Sequence, residues 1–399
     1  MNEAEIVIIG GGIAGVSAAY HLSELGHRVL LLERDAIAAH ASGLNSSLIS
    51  STPQRGVPDL EALLTAGSLE IYRSLQLDQH ADIEFRQSGT LRAICSEAEA
   101  ELASQVVEAA ADATSVRLLS VGEARSIEPE LSPNLLGALL FPRNAQANPV
   151  KATRALAQAA ERQGARIVTR CAVTDVARRA DGSYLIRAGD MTVSAVRLVI
   201  AAGPWAPAIG ALLGIEIPVV TVRGQMWATE ALPPRLQHNL SSMESSLYWH
   251  QASAEPELPS HLTHRAGRRV TRHLYGRQTR AGEIIFGGDR ELLGDHAVVD
   301  PDGIASNHRH ASELLPLLAA LPVQRSWAGL MAFSRDGHPL VGPVPGEPAL
   351  WLIGGMASSG FGEAPMAGRL LATWMHAGRR PDLLVAADPA GRVHVPGKP

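Results

Sequence analysis

Gly10, Gly12 and Gly15 fall in a G-x-G-x-x-G spacing between an apolar run, Glu5-Ile-Val-Ile-Ile9, and a stretch with helical spacing of Ala and Leu, Ile13 to Leu25. No other feature restricts the fold of this chain as strongly. The β-branched run reads as a strand buried on both faces, as a parallel sheet requires. Gly10 permits the tight turn, Gly12 lets the backbone approach a pyrophosphate at the helix N-terminus, and Gly15 allows close helix–strand packing. Gly26 stops the helix, and Arg28 to Glu33 forms a second apolar strand. Glu33 ends that strand about 20 residues beyond the glycines, where its carboxylate can accept from ribose hydroxyls. Together these residues make one βαβ unit of a dinucleotide-binding domain.

The pattern then changes. A polar loop runs from Ala38 to Ser47, Asp59 to Leu75 reads as an amphipathic helix, and short strands are expected at Ile83 to Arg86 and Thr90 to Ile94. A polar helix starts at Ser96, and another spans Val150 to Gln163 before Gly164. Strands follow at Arg166 to Thr169 and Ala172 to Arg178, with Ala180-Asp-Gly-Ser183 as a hairpin turn. Val196 to Ala201 returns as a buried strand, strands dominate from Ile217 to about Leu321, and a last helix runs from about Gly362 to Met375. The expected architecture is α/β plus α+β: a Rossmann-type dinucleotide-binding domain (1–75, 145–215 and 323–399) with an inserted, mainly antiparallel substrate domain (76–144 and 216–322). The stretch from Ala252 to Arg272, with Pro256 and Pro259, reads either as a surface loop or as a lid over substrate.

With 399 residues, 46% of them hydrophobic, the chain can bury a large core. Its formal charge is −5, and its densest basic run, Arg265 to Arg272, is short and interrupted, which argues against nucleic-acid binding. The apolar stretch Ile6 to Leu22 is too glycine-rich to span a membrane, and the acidic start is unlike a signal peptide. Two cysteines, Cys95 and Cys171, make no disulfide framework and read as ordinary buried thiols in a reducing, cytoplasmic setting. His261-x-x-His264 lacks further ligands at metal spacing, so no metal site is expected. No G-x-S-x-G elbow is present, which removes support for acyl transfer.

After Glu33 an NAD-type fold would continue with further βαβ units. Here a Ser/Asn/Gly-rich loop intervenes, and Gly354-Gly355 and Gly360-Phe-Gly362 precede a second helix far along the chain. The N-terminus of that helix could face the flavin edge that becomes anionic on reduction. Two anchoring points far apart in sequence favour FAD over NAD.

The chain resembles the FAD-dependent amino-acid and amine oxidoreductases of the D-amino acid oxidase superfamily, the group of glycine oxidase, sarcosine oxidase and dimethylglycine dehydrogenase. The likeness rests on Gly10 to Gly15, Glu33-Arg34, His40-Ala-Ser-Gly-Leu-Asn45, Ala147-Asn-Pro149, Ala201-Ala-Gly-Pro-Trp205, Arg223-Gly-Gln225, Ile284-Ile-Phe-Gly-Gly288, Trp327 to Leu330, Asp336 to Gly342 and Gly355 to Gly362. It implies a flavin covered by an antiparallel sheet, with substrate between the two and a C–N bond oxidised by hydride transfer to the flavin. Electrons would pass on to oxygen or another acceptor. Carried over by position, Ser42, Gly43, Asn45, Ser46 and Ser47 line the pyrophosphate and ring, Val173 meets adenine, and Ala202 and Gly203 pack near the ribityl chain. Ser359, Gly360, Phe361 and Gly362 donate to the flavin edge, while Ala14, Arg34, His40, Trp205, Gly329, Gly355 and Ser358 complete the expected cofactor contacts.

Two departures bear on substrate. Met331 and Ala332 stand where relatives have an Arg-Pro pair whose arginine binds the substrate carboxylate, and Ser358 replaces a second family arginine. That speaks against a simple D-amino acid or glycine as substrate. The C-terminal turn resembles the sarcosine oxidase β-subunit branch, although Glu363 stands where a lysine is common. Candidates to touch substrate are Met331, the pair Tyr248 and His250, and the pair Tyr275 and Arg277, each pair read as sharing one strand face. In dimethylglycine dehydrogenase-like proteins a His in a similar loop is bonded covalently to the flavin; here Ala38-Ala39 replaces the flanking Thr-Trp before His40. The leading reading is oxidation of an amine or N-substituted amino acid. Alternatives are oxidation of a 2-hydroxy acid, an NAD-dependent dehydrogenase, and a flavin-binding subunit of a larger oxidase. Association with a partner subunit or with itself is expected to be possible.

Overall fold

The computed structural model describes residues 2–50, 59–110, 112, 114–252, 258–259 and 261–395. The expected βαβ unit is present: a strand at Asn2–Ile9, a helix at Ile13–Glu24 and a strand at Val29–Leu32. The two strands pair in parallel, and on its other side the first strand pairs in parallel with Met191–Ile200. The sheet widens through Glu347–Gly354 on one flank and Arg166–Val168 on the other, again in parallel. The hairpin around Asp181 and Gly182 adds Val173–Arg178 and Tyr184–Ala188 as antiparallel strands.

The first strand lacks alternation because both faces are buried. Ile6 and Ile8 join a core with the helices Ile13–Glu24, Leu60–Leu77, Pro149–Arg162 and Gly360–Ala377. Val7 and Ile9 face the opposite core, with Ile186, Leu198 and Leu352. Burial on both sides is what a parallel sheet between two layers demands. The helix at Leu60–Leu77 starts where Asp59 accepts from the Ala62 N–H, and that at Pro149–Arg162 starts where Asn148 accepts from the Lys151 N–H.

A second sheet has nine strands among the described residues. Its centre is antiparallel: Val219–Ala231 lies between Glu283–Glu291 and Arg325–Ser334, and Tyr275–Gln278 follows. One face packs on the helix Pro301–Leu314 through Trp227, Phe286, Ile304 and Leu314. The other turns toward the first sheet, where Trp327 Nε1 donates to Leu44 O. Residues 325–334, grouped by sequence with the cofactor-binding segments, hydrogen-bond into this second sheet.

Two expected strands are different. Ile83 to Arg86 is irregular, with Glu84 at positive φ and a single bridge from Arg86 to Gln146. Residues 244–251 form a helix, Glu244–Gln251, in a region read as strands. Residues 253–257 and 260, part of the expected loop or lid, lie outside the described residues. Its described remainder carries a short hairpin, His264–Arg265 with Arg268–Arg269, and Thr263 is bonded to the backbone of Arg290.

Candidate functional site

At the C-terminal end of the first parallel strand the chain has no room for side chains. Gly10 has φ +118°, and a Cβ there would lie 2.4 Å from Ala201 O. A Cβ on Gly15 would lie 1.9 Å from Gly10 O, and one on Gly12 2.9 Å from Ser42 Oγ. Gly12, at the N-cap of the helix, offers no side-chain acceptor, while the Ile13 N–H donates to Ser42 Oγ at 2.8 Å. Glu33 accepts from the Gly11 N–H (2.5 Å) and the Asp35 N–H (2.8 Å), so its carboxylate holds the turn from beneath. A helix N-terminus preceded by glycines, with the Ser42 hydroxyl and a carboxylate beside it, fits a pyrophosphate and its ribose.

A cleft of about 330 Å³ opens from this turn. Of the residues expected to hold cofactor, Gly10, Gly12, Ala14, Glu33, Arg34, His40, Ser42, Val173, Ala202, Gly203, Trp205, Gly355 and Gly360 line it. Met331 and Ala332 reach it from the second sheet, and Met356, Ala357 and Ala364 close its far end. The remaining expected contacts do not line it. Gly15 and Gly43 are packing positions, each with a carbonyl where a Cβ would be. Asn45 donates to Ala41 O and Ser42 O and accepts from the Ser47 N–H, which shapes the loop. Phe361 is buried on Tyr72, whose hydroxyl donates to Phe361 O at 2.6 Å, and Gly362 lies against Thr65. Ser358 and Ser359 are exposed. Gly329 faces Leu44, with room for a Cβ at 3.4 Å.

Beside the cleft, Arg34 lies over the Trp205 ring at 3.7 Å, and His40 meets that ring edge-on. His40 Nε2 is 2.7 Å from Asp35 Oδ2, and this bond holds the Asp35 carboxyl below its usual range.

The pairing of Tyr248 with His250 is corrected by the structure. Both lie on a helix, where residues two apart point in different directions; His250 is exposed. The helix presents Trp249 instead, between His261 and His273. Tyr275 and Arg277 do share a strand face. Arg277 is buried and donates to Ser46 O, Ser47 Oγ and Gln146 Oε1, tying the sheet to the cofactor loop. Burial pulls it down to about 10. Tyr275 packs on His273, and burial raises its phenol above the usual value. Cys95 is also corrected: it is exposed rather than buried, although partial burial near Glu99 pushes its thiol up to about 11.

Trp249, His273 and Arg290 were missed in the sequence. His273 keeps the two-residue spacing with Tyr275, a signal that was available. Arg290 gives none, because a bulge reverses its side. Met226 opposes Gly287, but Gly224 opposes Arg290, so one extra residue lies between the two pairs. Arg290 therefore joins the face of Gly224 and Met226 rather than that of Phe286.

A family model for FAD-dependent oxidoreductases (DAO) matches residues 5–374. Mouse mitochondrial dimethylglycine dehydrogenase is 27% identical over 403 residues, covering 97% of this chain and 44% of that protein. The chain thus spans less than half the length of that relative. Glycine oxidase of Geobacillus kaustophilus is 26% identical over 381 residues, covering 93% of this chain and 92% of that protein. The crystal structure of glycine oxidase from the same species superposes with a TM-score of 0.82 at 22% identity, over 99% of this chain and 100% of that one.

Proposed function

The chain belongs to the DAO family of FAD-dependent oxidoreductases, and on that footing we propose that it oxidises the C–N bond of an amine or N-substituted amino acid. One observation carries the reading. The dinucleotide cradle at Gly10–Ala14 and the substrate-side residue Met331 line one continuous cleft. The second sheet therefore covers the far end of the same space that holds the nucleotide. FAD, when bound, accepts the two electrons that leave the C–N bond.

The residues of this chain supply position and dryness. Gly10, Gly12 and the helix N-terminus hold the pyrophosphate, and Glu33 takes the ribose. Met226, Trp327 and Tyr275 pack together on the covering sheet face. Such surroundings disfavour an ammonium and favour the neutral amine, the form that can be oxidised. The same reading includes FAD-binding segments at 1–75, 145–215 and 323–399, oxygen or another acceptor, and association with a partner subunit or a second copy. A cytoplasmic setting draws support from the two free thiols. No described helix is long and apolar enough to cross a membrane.

The test is an anaerobic absorbance titration of the yellow protein with sarcosine, dimethylglycine, proline, D-alanine and 2-hydroxyglutarate. Bleaching by an amine is the expected result. Bleaching by 2-hydroxyglutarate alone would replace this reading with hydroxy-acid oxidation.

A further inference from the structure

The arginines around the second sheet are mostly paired with carboxylates. Arg223 meets Glu291 at 2.6 Å, Arg272 meets Glu244 at 2.7 Å, Arg325 meets Glu283 at 2.8 Å, and Arg269 meets Asp289. Arg290 is different. Its Nη2 lies 3.1 Å from His273 Nε2, its Nη1 reaches His261 O at 3.5 Å, and its guanidinium lies over the Trp249 ring. Its Nε is buried without a partner, and no Asp or Glu among the described residues pairs with it. A guanidinium held away from water without an anion is unfavourable unless a ligand supplies one.

The neighbourhood is built to present it. A guanidinium only donates, so His273 Nε2 must accept, which leaves the proton on Nδ1, 2.7 Å from Ser245 Oγ. His273 is kept neutral by burial and by Arg290 itself. The bulge brings Arg290 opposite Gly224, and Gly224 in turn is opposite Gly329. Neither Gly224 nor Gly329 adds a side chain of its own to the row between Arg290 and the strand that carries Met331. Met331, which lines the cleft, extends its Cε to within 3.0 Å of where a Gly224 Cβ would be.

We propose that Arg290 binds the carboxylate of the substrate, so that the substrate is an amino acid oxidised at its nitrogen-bearing carbon; this rests on the amine-oxidising reading above. The chain thus places the guanidinium two strands away from position 331, on a different strand of the same sheet face. His273 and Trp249 are positioning residues for it.

Methoxyacetate is the probe: it has the shape and carboxylate of an N-methyl amino acid but no nitrogen to oxidise. Titrated into the FAD-bound protein, it is expected to perturb the flavin spectrum. Arg290→Gln should weaken its binding about 10- to 100-fold, as loss of a charge-assisted bond does. KM for a carboxylated amine should rise by a similar factor, while KM for dimethylamine, which has no carboxylate, stays unchanged. Arg290→Lys should recover part of the loss. Arg290→Met, which keeps contact with Trp249, replaces the Gln variant if the latter loses its flavin. Unchanged methoxyacetate binding in a flavin-loaded Gln or Met variant overturns the proposal. So does a wild-type protein that oxidises dimethylamine and binds no methoxyacetate, and in that case the amine-oxidising reading stands. Methoxyacetate binding that depends on Arg290, without oxidation of any amine, removes that reading and keeps the anion site.

Discussion

The cradle around Gly10 and the sheet face around Arg290 are made from different parts of the chain. The cradle is mostly backbone: glycine turns, a helix end met by the Ser42 hydroxyl and one carboxylate holding two N–H groups. The sheet face is side chain: a guanidinium brought round by a bulge, with an imidazole, a phenol and an indole from the neighbouring helix packed around it. A backbone site tolerates no added atom. A side-chain site tolerates many changes in shape but depends on which face each residue takes.

The sharpest break of this contrast is Gly10→Ala. The added methyl meets Ala201 O in a backbone conformation at φ +118° that alanine resists. Strain and overlap should together cost about 3 kcal/mol or more. The variant should purify colourless or with a lowered Tm, measured by flavin-to-protein absorbance ratio and thermal melting. Full yellow colour at wild-type Tm would show that the cradle is looser than its geometry. Glu33→Gln comes next. An amide has one acceptor oxygen for the two N–H groups of Gly11 and Asp35, so one bond is lost. FAD should bind about tenfold more weakly, read by fluorescence titration of the apoprotein.

The same contrast explains what could be read in advance. The βαβ unit was legible because a G-x-G-x-x-G spacing, a double-buried strand and a terminal Glu33 are local and mutually reinforcing. The starts of the helices at Leu60, Glu97 and Pro149 were legible for the same reason: Asp59, Ser96 and Asn148 cap them. The helix at Glu244–Gln251 was not. Tyr248 and His250 show the spacing of two that a strand would, and the helix is fixed by packing, with Met243 and Leu247 against Ile94 and Phe141. Arg290 was illegible in a stricter sense. Its face is set by one extra residue on its own strand opposite Gln225, and only the pairing with the neighbouring strand shows that it is extra.

Glu363 allows a finer test at the far end of the cradle. It lies in the first turn of the helix Gly360–Ala377, buried, with Oε2 lacking a partner. Burial, with Glu61 and Asp59 nearby, holds its pKa well above the ordinary 4.5. The folded protein therefore binds a proton there that the unfolded chain releases, and stability falls as pH rises from 4.5 toward the folded value. Glu363→Gln keeps the uncharged form at every pH. Its Tm should match wild type at pH 4.5 and exceed it progressively as pH rises toward 8, since the amide has no proton to lose. A constant Tm difference across that range would mean that Glu363 is ionised in the fold.

The smallest effect belongs to the sheet's outer end. Arg325 pairs with Glu283 and lies over the Trp327 ring, yet about half of its side chain is exposed. Water and salt screen such a pair, and two long side chains lose freedom in forming it, so its net worth is about 1 kcal/mol or less. Arg325→Gln should leave FAD content unchanged and move Tm by no more than about 2–4 °C. Raising the ionic strength should shrink even that difference, because an exposed pair is weakened by counterions. Losing a whole guanidinium here would then matter less than gaining one methyl at Gly10. A loss of flavin on Arg325→Gln would erase that ordering and show that the sheet's edge pair helps hold Trp327 on Leu44, where the second sheet meets the cofactor loop.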